Sequence, residues 1–166
     1  MNVPTDDELR QLAARVADRL VAAGRGLVTA ESCTGGWVAK VCTDLPGSSR
    51  WFRGGLVAYD NELKSGVLGV ETAAMASEGA VSQSTVRDMA TGALGRLGGD
   101  IAVAVSGIAG PEGGAPGKPV GTVWFAWAVR ADDRYEVRTH LECLAGDREA
   151  VRRRAVACAL KGVLEV

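Results

Sequence analysis

The chain has 166 residues, 47% hydrophobic and 23% charged, a balance typical of one globular domain, which we expect to span 1–166. The net charge of −1 provides no bulk attraction to nucleic acid or to an anionic membrane, and we expect neither as a partner. Four cysteines without C-x-x-C spacing and a single histidine, His140, argue against a metal site. Scattered thiols and a polar, acidic N-terminus without signal-peptide features predict a cytoplasmic location.

Helical and extended patterns alternate along the chain. A capping box from Thr5 to Glu8 predicts the start of the first helix, and Gly24 predicts its end. The patterns that follow predict a strand over 26–32, a helix over 34–44, a helical turn after Gly47 and a strand over 54–61. Next come a helix capped by Asp60 or Asn61, a short helix and loop over 70–82, and a helix over 82–97. The last third predicts a buried strand over 100–110, two strands over 122–129 and 134–144 joined at 131–133, and a final helix near 146–164.

This alternation predicts an α/β sandwich in which some strands are parallel and covered on both faces, while the late hairpin makes the sheet mixed. In such sheets, ligands bind beyond the carboxyl ends of the strands. Three motifs follow predicted strands directly: "ESCTGG", "YDNELK" and "SGIAGPEGG". Their convergence at one edge of the sheet is the first indication of a site.

The first motif, "ESCTGG", leaves three interpretations open. Gly35 and Gly36 at a strand–helix junction can present backbone N–H groups to an anion such as phosphate. Thr34 would then cap the helix, and Ser32 would hydrogen-bond the phosphate. The same residues also fit a capped turn whose glycines allow close packing. Cys33 is a candidate nucleophile, but no histidine lies near it in sequence, and a buried inert thiol is favoured.

The second motif pairs serines with a lysine. Ser48 fits the N-cap of the helical turn, and Ser49 then lies in its first turn. A serine hydroxyl needs a base, and Lys64, at the start of a helix after a strand, has an amine that could reach the same crevice. The alternative for Lys64 is an ordinary solvated lysine.

The third motif places Ser106 at the end of a strand, before a glycine-rich loop over 107–121. A loop of this length in a compact chain favours a functional role, such as wrapping a ligand. Arg148 lies in the first turn of the last helix, where a cation opposes the helix dipole. Such a local violation indicates a functional role, although a solvated arginine is a common alternative.

Taken together, "TAESCTGGWVAKV", "PGSSRWFRGGLVAYDNELK", "GAVSQSTV", "VSGIAGPEGG" and "GDREAVR" resemble the CinA C-terminal domain family. The resemblance extends from about Leu9 to Leu164 and is closer to stand-alone members, the nicotinamide-nucleotide amidases. It implies a three-layer α/β/α sandwich with a mixed, mostly parallel sheet. The implied reaction is hydrolysis of the carboxamide of nicotinamide mononucleotide to nicotinate mononucleotide and ammonia, in pyridine nucleotide recycling, without a cofactor or metal.

The resemblance also implies a Ser/Lys mechanism. Ser49 matches the nucleophile and Lys64 the base, and Tyr59, Ser106 and Arg148 match further catalytic positions. The "ESCTGG" turn then becomes a substrate-binding element, in which Glu31 either accepts hydrogen bonds from ribose hydroxyls or holds the loop. The substrate-binding residues that we expect are Glu31, Ser32, Thr34, Gly35, Gly36, Gly107 and Gly110.

Two other functions stay open from the sequence. One is a non-catalytic nucleotide-binding module linked to competence or DNA damage, and the other is a thiol hydrolase that uses Cys33. The family also suggests a homodimer and a small-molecule nucleotide as the binding partner. Two-domain members carry an additional N-terminal domain, which we expect this chain to lack.

Overall fold

The computed structural model describes residues 2–166, which form one mixed sheet between two layers of helices. The helices are α1 (Asp6–Ala23), α2 (Trp37–Thr43), α3 (Asn61–Leu68), α4 (Thr72–Glu78), α5 (Gln83–Leu97) and α6 (Arg148–Val163). The strands are β1 (Leu27–Glu31), β2 (Phe52–Val57), β3 (Ile101–Gly107), β4 (Thr122–Ala131) and β5 (Arg134–Cys143). A 3₁₀ turn, Ser48–Arg50, connects α2 to β2. No helix within residues 2–166 is long and apolar enough to cross a membrane.

Local capping chemistry sets several helix boundaries. The Thr5 hydroxyl accepts a hydrogen bond from the Glu8 amide and completes the predicted capping box, while Gly24 ends α1 in the left-handed conformation at φ 64°. Of the two candidate caps for α3, Asp60 is the one used, because its carboxylate accepts from the Leu63 amide at 2.9 Å.

Two predicted caps are wrong. α2 begins at Trp37 with Gly36 as its N-cap, so Thr34 lies outside the helix and makes no capping hydrogen bond. The 3₁₀ turn is preceded by Gly47, also without a side-chain cap, so Ser48 does not act as one. In both places a glycine with positive φ makes the entry into the helical turn, and the neighbouring hydroxyl is not needed.

The sheet has the strand order β2-β1-β3-β4-β5, which confirms the predicted mixed α/β sheet. β1 pairs in parallel with both β2 and β3, whereas β3–β4 and β4–β5 are antiparallel. Two of the four pairings are therefore parallel. Since β1, β2 and β3 run in the same direction, their carboxyl ends lie at one edge of the sheet, and the segments that follow them meet there.

The core lies on both faces of the sheet and is divided by side-chain alternation along the strands. In β3, Val103 and Val105 pack with α1, α2 and α6, while Ala102 and Ala104 face the side covered by α3, α4 and α5. Both faces are buried, which explains why the β3 sequence is continuously apolar rather than alternating.

We expect Gly162→Ala to lower the free energy of unfolding by about 1–3 kcal/mol, because its Cβ would overlap the Trp127 ring. The ring is fixed there, since its indole N–H donates to the Ala159 carbonyl at 2.9 Å. Gly66→Ala, in open space on α3, is the matched control and should raise stability by about 0.5–1 kcal/mol. Urea unfolding followed by circular dichroism measures both variants. If Gly162→Ala is as stable as Gly66→Ala, the packing argument is contradicted.

Candidate active site

A crevice of about 200 Å³ opens at the edge of the sheet where β1, β2 and β3 end. Segments that are distant in sequence line it with seven polar or ionisable side chains: Ser32, Cys33, Tyr59, Asn61, Lys64, Ser106 and Arg148. Among the described residues, no Asp or Glu side chain is part of this lining. The crevice therefore contains two basic residues and several hydroxyls without a carboxylate.

Lys64 is more deeply buried than Arg148, with only 2% of its surface exposed. It lies in the first half of α3, which begins shortly after β2 ends. Its Nζ donates to the carbonyl oxygens of Tyr59 at 3.0 Å and, more weakly, of Asp60 at 3.4 Å. A neutral amine has two N–H groups and one lone pair, so these two carbonyls leave the lone pair free.

Burial lowers the pKa of the Lys64 amine, while the negative charge of Asp60 opposes this effect. Burial is the largest of the effects that act on this pKa. The amine also lies near the N-terminus of α3, where the helix dipole disfavours a cation. Lys64 is therefore placed to lose its proton more easily than a solvated lysine.

Arg148, the first residue of α6, connects two sides of the crevice. Its guanidinium donates to the Tyr59 hydroxyl at 2.8 Å and to the Gly110 carbonyl at 2.8 Å. Tyr59 is 56% exposed and lies at the mouth, while Gly110 belongs to the glycine-rich loop. Arg148 thereby holds this loop against the segment that follows β2, and Gly107 of the same loop lines the crevice.

Ser106 lies at the end of β3 with 1% of its surface exposed. Its hydroxyl donates to the Ala80 carbonyl at 2.8 Å. This hydrogen bond connects the end of β3 to the segment before α5, and it commits the Ser106 proton to a carbonyl oxygen.

The "ESCTGG" turn brings Ser32 and Cys33 into the crevice. The Ser32 amide donates to the Val105 carbonyl at 3.0 Å, which continues the pairing of β1 with β3 by one residue. From the other side, Arg152 of α6 donates to the carbonyls of Cys33 at 3.1 Å and Thr34 at 2.9 Å. The turn is thus fixed on both sides.

Glu31 holds the loop, which is the second of the two roles considered for it. Its carboxylate, 1% exposed, accepts from the amides of Val38 at 3.0 Å and Ala39 at 2.8 Å. These are the free amides at the start of α2, so the anion at this helix end is a side chain of the protein itself. The phosphate cradle was expected at the amides of Gly35 and Gly36, whereas Glu31 binds amides further along the helix start, and the Gly35 amide donates to the Ser32 carbonyl at 2.9 Å.

Three further residues expected to bind substrate lie outside the crevice. Thr34 is fully buried, and its hydroxyl has no hydrogen-bond partner among the described residues. Gly35 and Gly36 line a separate surface groove beside Trp37 and Arg152. The turn therefore contributes its first residues to the crevice, while its glycines face another part of the surface.

Ser49 is not brought to Lys64 within one chain. Ser49 lies in the turn before β2, whereas Tyr59 and Lys64 follow β2. The six residues of β2 span roughly 17 Å at about 3.3 Å per residue, and they place the two side chains at opposite edges of the sheet. Within a single chain, β2 therefore separates the two side chains of the predicted Ser49–Lys64 pair.

Cys33 is buried, and this burial raises the pKa of its thiol to about 12. A thiol nucleophile must be a thiolate, which this environment disfavours. The prediction of an inert buried thiol agrees with this environment, and Cys33 is a poor candidate for the attacking group.

Three residues near the site were not identified from the sequence. Asn61 lines the crevice, where its side-chain amide can both donate and accept hydrogen bonds. Arg152 holds the turn, and Lys118 donates to the Val81 carbonyl at 2.8 Å, which connects the glycine-rich loop to the segment before α5. The sequence gives no local signal for the last two, because both act on carbonyls distant in the chain.

Within residues 2–166, no group of three or more His, Cys, Asp or Glu side chains is positioned to hold a metal ion. The hydroxyls of the crevice and the side-chain amide of Asn61 are suited to hydrogen bonding with an organic ligand.

Comparison with known proteins identifies the fold family. The model of the CinA C-terminal domain matches residues 9–166. The chain belongs to the CinA C-terminal domain family. The resemblance seen in the sequence motifs is confirmed. The residues that line the crevice come from the motifs at the ends of β1, β2 and β3.

Relatives and solved structures agree with this assignment. The nicotinamide-nucleotide amidohydrolase PncC of Escherichia coli (strain K12) is 55% identical over 157 residues, which cover 95% of this chain and 93% of that protein. The protein of the same name from Pseudomonas putida is 47% identical over 96% of this chain and 98% of its own length. The crystal structure of the competence damage-inducible protein A (ComA) from Klebsiella pneumoniae subsp. pneumoniae MGH 78578 has a TM-score of 0.89, with 43% identity and 95% coverage of both chains. The three-layer α/β/α architecture is thereby confirmed.

We expect Glu31→Ala to lower the free energy of unfolding by about 3 kcal/mol, because one buried and one partly buried amide of α2 lose a charged acceptor. Glu62→Ala, an exposed carboxylate in the first turn of α3, is the control and should change stability by less than about 0.5 kcal/mol. Equilibrium urea unfolding gives both values. Equal effects for the two variants would show that the carboxylate does not hold the turn.

Proposed function

We propose that this protein hydrolyses the carboxamide of nicotinamide mononucleotide to the carboxylate, with release of ammonia. The observation that carries the proposal is the buried amine of Lys64, which lies in a crevice with hydroxyl groups and with no carboxylate in its lining. The relatives named nicotinamide-nucleotide amidohydrolase, which align over nearly their whole length, support the choice of substrate.

Amide hydrolysis needs a base that is unprotonated at the pH of the reaction and can return its proton to the leaving nitrogen. A solvated lysine is charged at neutral pH and cannot accept a proton. Burial lowers the pKa of Lys64, and its two N–H groups are held by carbonyls, so its lone pair is available. We assign the role of general base, and then of general acid, to Lys64.

Positive charge and size favour an anionic nucleotide that is only partly enclosed. Arg148 lines the crevice and no carboxylate does, so an anionic ligand experiences favourable electrostatics there. The volume of about 200 Å³ is smaller than the roughly 300–1,000 Å³ of pockets that enclose a whole ligand. We infer that the ring and its carboxamide enter the crevice and that the sugar and phosphate lie at the mouth, near Tyr59 and Arg148.

Asn61 is suited to orient the reacting group. Its side-chain amide offers a donor and an acceptor, the complement of a carboxamide, and it lines the same crevice as Lys64. Tyr59 and Arg148 are already joined by a hydrogen bond, which pre-orients both groups at the mouth.

We also propose that the protein acts in the cytoplasm on a small-molecule substrate, without nucleic acid or membrane as a partner. The four cysteines are free, which fits a reducing compartment, and the net charge is close to zero. The single-domain organisation over 1–166 and the homodimer remain predictions, and light scattering of the purified chain measures its oligomeric state.

Lys64→Met should reduce ammonia release from nicotinamide mononucleotide by about 10²–10⁴-fold, the usual contribution of a general acid–base group. Lys161→Met, at an exposed position on α6, is the control and should retain the activity of the unaltered protein. A coupled assay for ammonia provides the measurement, and circular dichroism checks that both variants are folded. If the unaltered protein releases no ammonia but binds the nucleotide, it is a binding module and the proposed reaction is wrong.

The pH dependence of kcat/KM tests whether Lys64 acts as the base. Activity should rise with pH as the amine loses its proton, and because burial lowers the pKa of Lys64, the midpoint of this rise should lie below 10.5. Initial rates at subsaturating substrate across a series of buffers give the profile. A rise with its midpoint at or above 10.5 would mean that the base is an unburied lysine or another group.

A further inference from the structure

The connection between α4 and α5 contributes one wall of the crevice, formed by Ala80 and Val81. The backbone carbonyls of residues 78–81 each accept a hydrogen bond from a side chain. An ordinary surface connection leaves such carbonyls to water and is more mobile than the elements that it joins. This segment is instead bound at four successive carbonyls, so the place of the wall is closely defined.

Lys118, from the glycine-rich loop, binds both ends of the segment. Its Nζ donates to the carbonyl of Glu78 and, at 2.8 Å, to that of Val81. The hydroxyls of Thr85 and Ser106 donate to the two carbonyls between them, at 3.1 and 2.8 Å. Hydrogen bonds from an ionised donor are roughly twice as strong as those from a neutral hydroxyl. The ammonium of Lys118 is therefore the strongest of the groups that hold the wall.

The backbone that carries Lys118 is itself fixed. Its amide and carbonyl pair with the carbonyl and amide of Ala115, both at 2.9 Å, in a short turn of the loop. Pro119 follows and restricts the backbone, and its carbonyl accepts from the amide of Thr122 at 3.1 Å and from the Thr122 hydroxyl at 2.7 Å. The ammonium is thus presented from a defined position next to the start of β4.

The wall provides apolar surface in a crevice that is otherwise rich in polar groups. Ala80 and Val81 are partly exposed, and among the described residues Ala109 is the only other aliphatic side chain in the lining. The flat faces of a pyridine ring need apolar contact. The wall therefore matches the chemistry of the ring that enters the crevice in the proposed binding mode.

We propose that Lys118 is a positioning residue for the reaction, which holds Ala80 and Val81 where they pack against the pyridine ring of the substrate. The inference rests on the proposed amide hydrolysis and on the entry of the ring into the crevice. Lys118 is not part of the crevice lining, so it acts through the carbonyls of the wall rather than on the reacting atoms.

The position of the ring decides the position of the reacting atom, because the carboxamide carbon is bonded directly to the ring. A displacement of about 1 Å, caused by a change far from the reacting atoms, can reduce a rate by about 100-fold. A wall that shifts when its ammonium is removed would therefore reduce both binding of the ring and turnover.

The first test compares Lys118→Met with Lys118→Arg in the ammonia assay with nicotinamide mononucleotide. Lys118→Met retains the length of the side chain and loses the donors, so kcat should fall about 10–100-fold and KM should rise. Lys118→Arg retains a cationic donor and should keep kcat within about fivefold of the unaltered protein. Lys161→Met is again the exposed control. The midpoint of the pH profile should be unchanged in every variant, because the contacts of Lys64 are retained.

Binding without turnover separates the wall from the general stability of the fold. Nicotinate mononucleotide carries the ring, whereas ribose 5-phosphate lacks it and reaches only the mouth, near Tyr59 and Arg148. In Lys118→Met, the Kd of nicotinate mononucleotide, measured by calorimetry, should rise by at least about fivefold, and that of ribose 5-phosphate should stay the same. A residue that served only the stability of the fold would change both Kd values or neither.

Val81→Ala tests the wall without altering its attachment, and it replaces Lys118→Met if circular dichroism shows that variant to be unfolded. It keeps the Val81 carbonyl that Lys118 binds and removes two methyl groups from the wall. The Kd of nicotinate mononucleotide should rise about three- to tenfold, and that of ribose 5-phosphate should stay the same.

Several outcomes overturn the inference while the proposed function stands. One is unchanged kcat and unchanged binding of nicotinate mononucleotide in folded Lys118→Met, and another is unchanged binding of this ligand in Val81→Ala. Equal weakening of both ligands, or equal impairment of Lys118→Met and Lys118→Arg, would also contradict it. Absence of ammonia release by the unaltered protein is the separate result that removes the proposed function and the positioning role with it.

Discussion

The burial of one amine is the constraint on which the chemistry of this site depends. A lysine ammonium removed from water loses several kcal/mol of hydration, and this cost is recovered only by a close counter-charge or by loss of the proton. Lys64 hydrogen-bonds to two carbonyls rather than to a carboxylate, and it lies near the positive end of α3. Loss of the ammonium proton therefore costs less free energy than keeping the charge buried, and the neutral amine of Lys64 can act as a base. The amine is buried because α3 follows β2 directly and places Lys64 at the end of the sheet.

The walls around the amine are held by a small number of charged groups that act on backbone. Glu31 joins the end of β1 to α2, Arg152 joins α6 to the turn, and Arg148 joins α6 to the glycine-rich loop. Each of them satisfies carbonyls or amides that the chain leaves unpaired where a strand ends. Arg148 and Arg152 of α6 thus hold the segments that follow β1 and β3, and they fix the walls of the crevice without placing a negative charge inside it.

The sequence predicted most of the fold, because caps, periodicity and turn residues are local signals. It also predicted that Lys64, Tyr59 and Ser106 would converge, since the rule for parallel strands requires no knowledge of side-chain geometry. Arg148 was joined to them only by the family resemblance. It did not predict which anion would occupy the start of α2. Glu31 lies seven and eight residues before the amides that it binds, and only the shape of the intervening turn brings them together. Thr34 was assigned a cap for the same reason, because a hydroxyl near a helix start has the right chemistry whether or not it has the right position.

Ser49 illustrates a different limit, which concerns distance rather than chemistry. Ser49 and Lys64 are 15 positions apart and stand in one long motif, so they read as a pair in the sequence. A strand that lies between two residues places them at opposite ends of that strand, on opposite sides of the sheet. β2 is such a strand, and it therefore separates the two ends of its own motif. Residues that share an edge of a parallel sheet come from the ends of different strands, and for this reason the partner of Lys64 has to be sought after β1 or β3, in segments far from it along the chain.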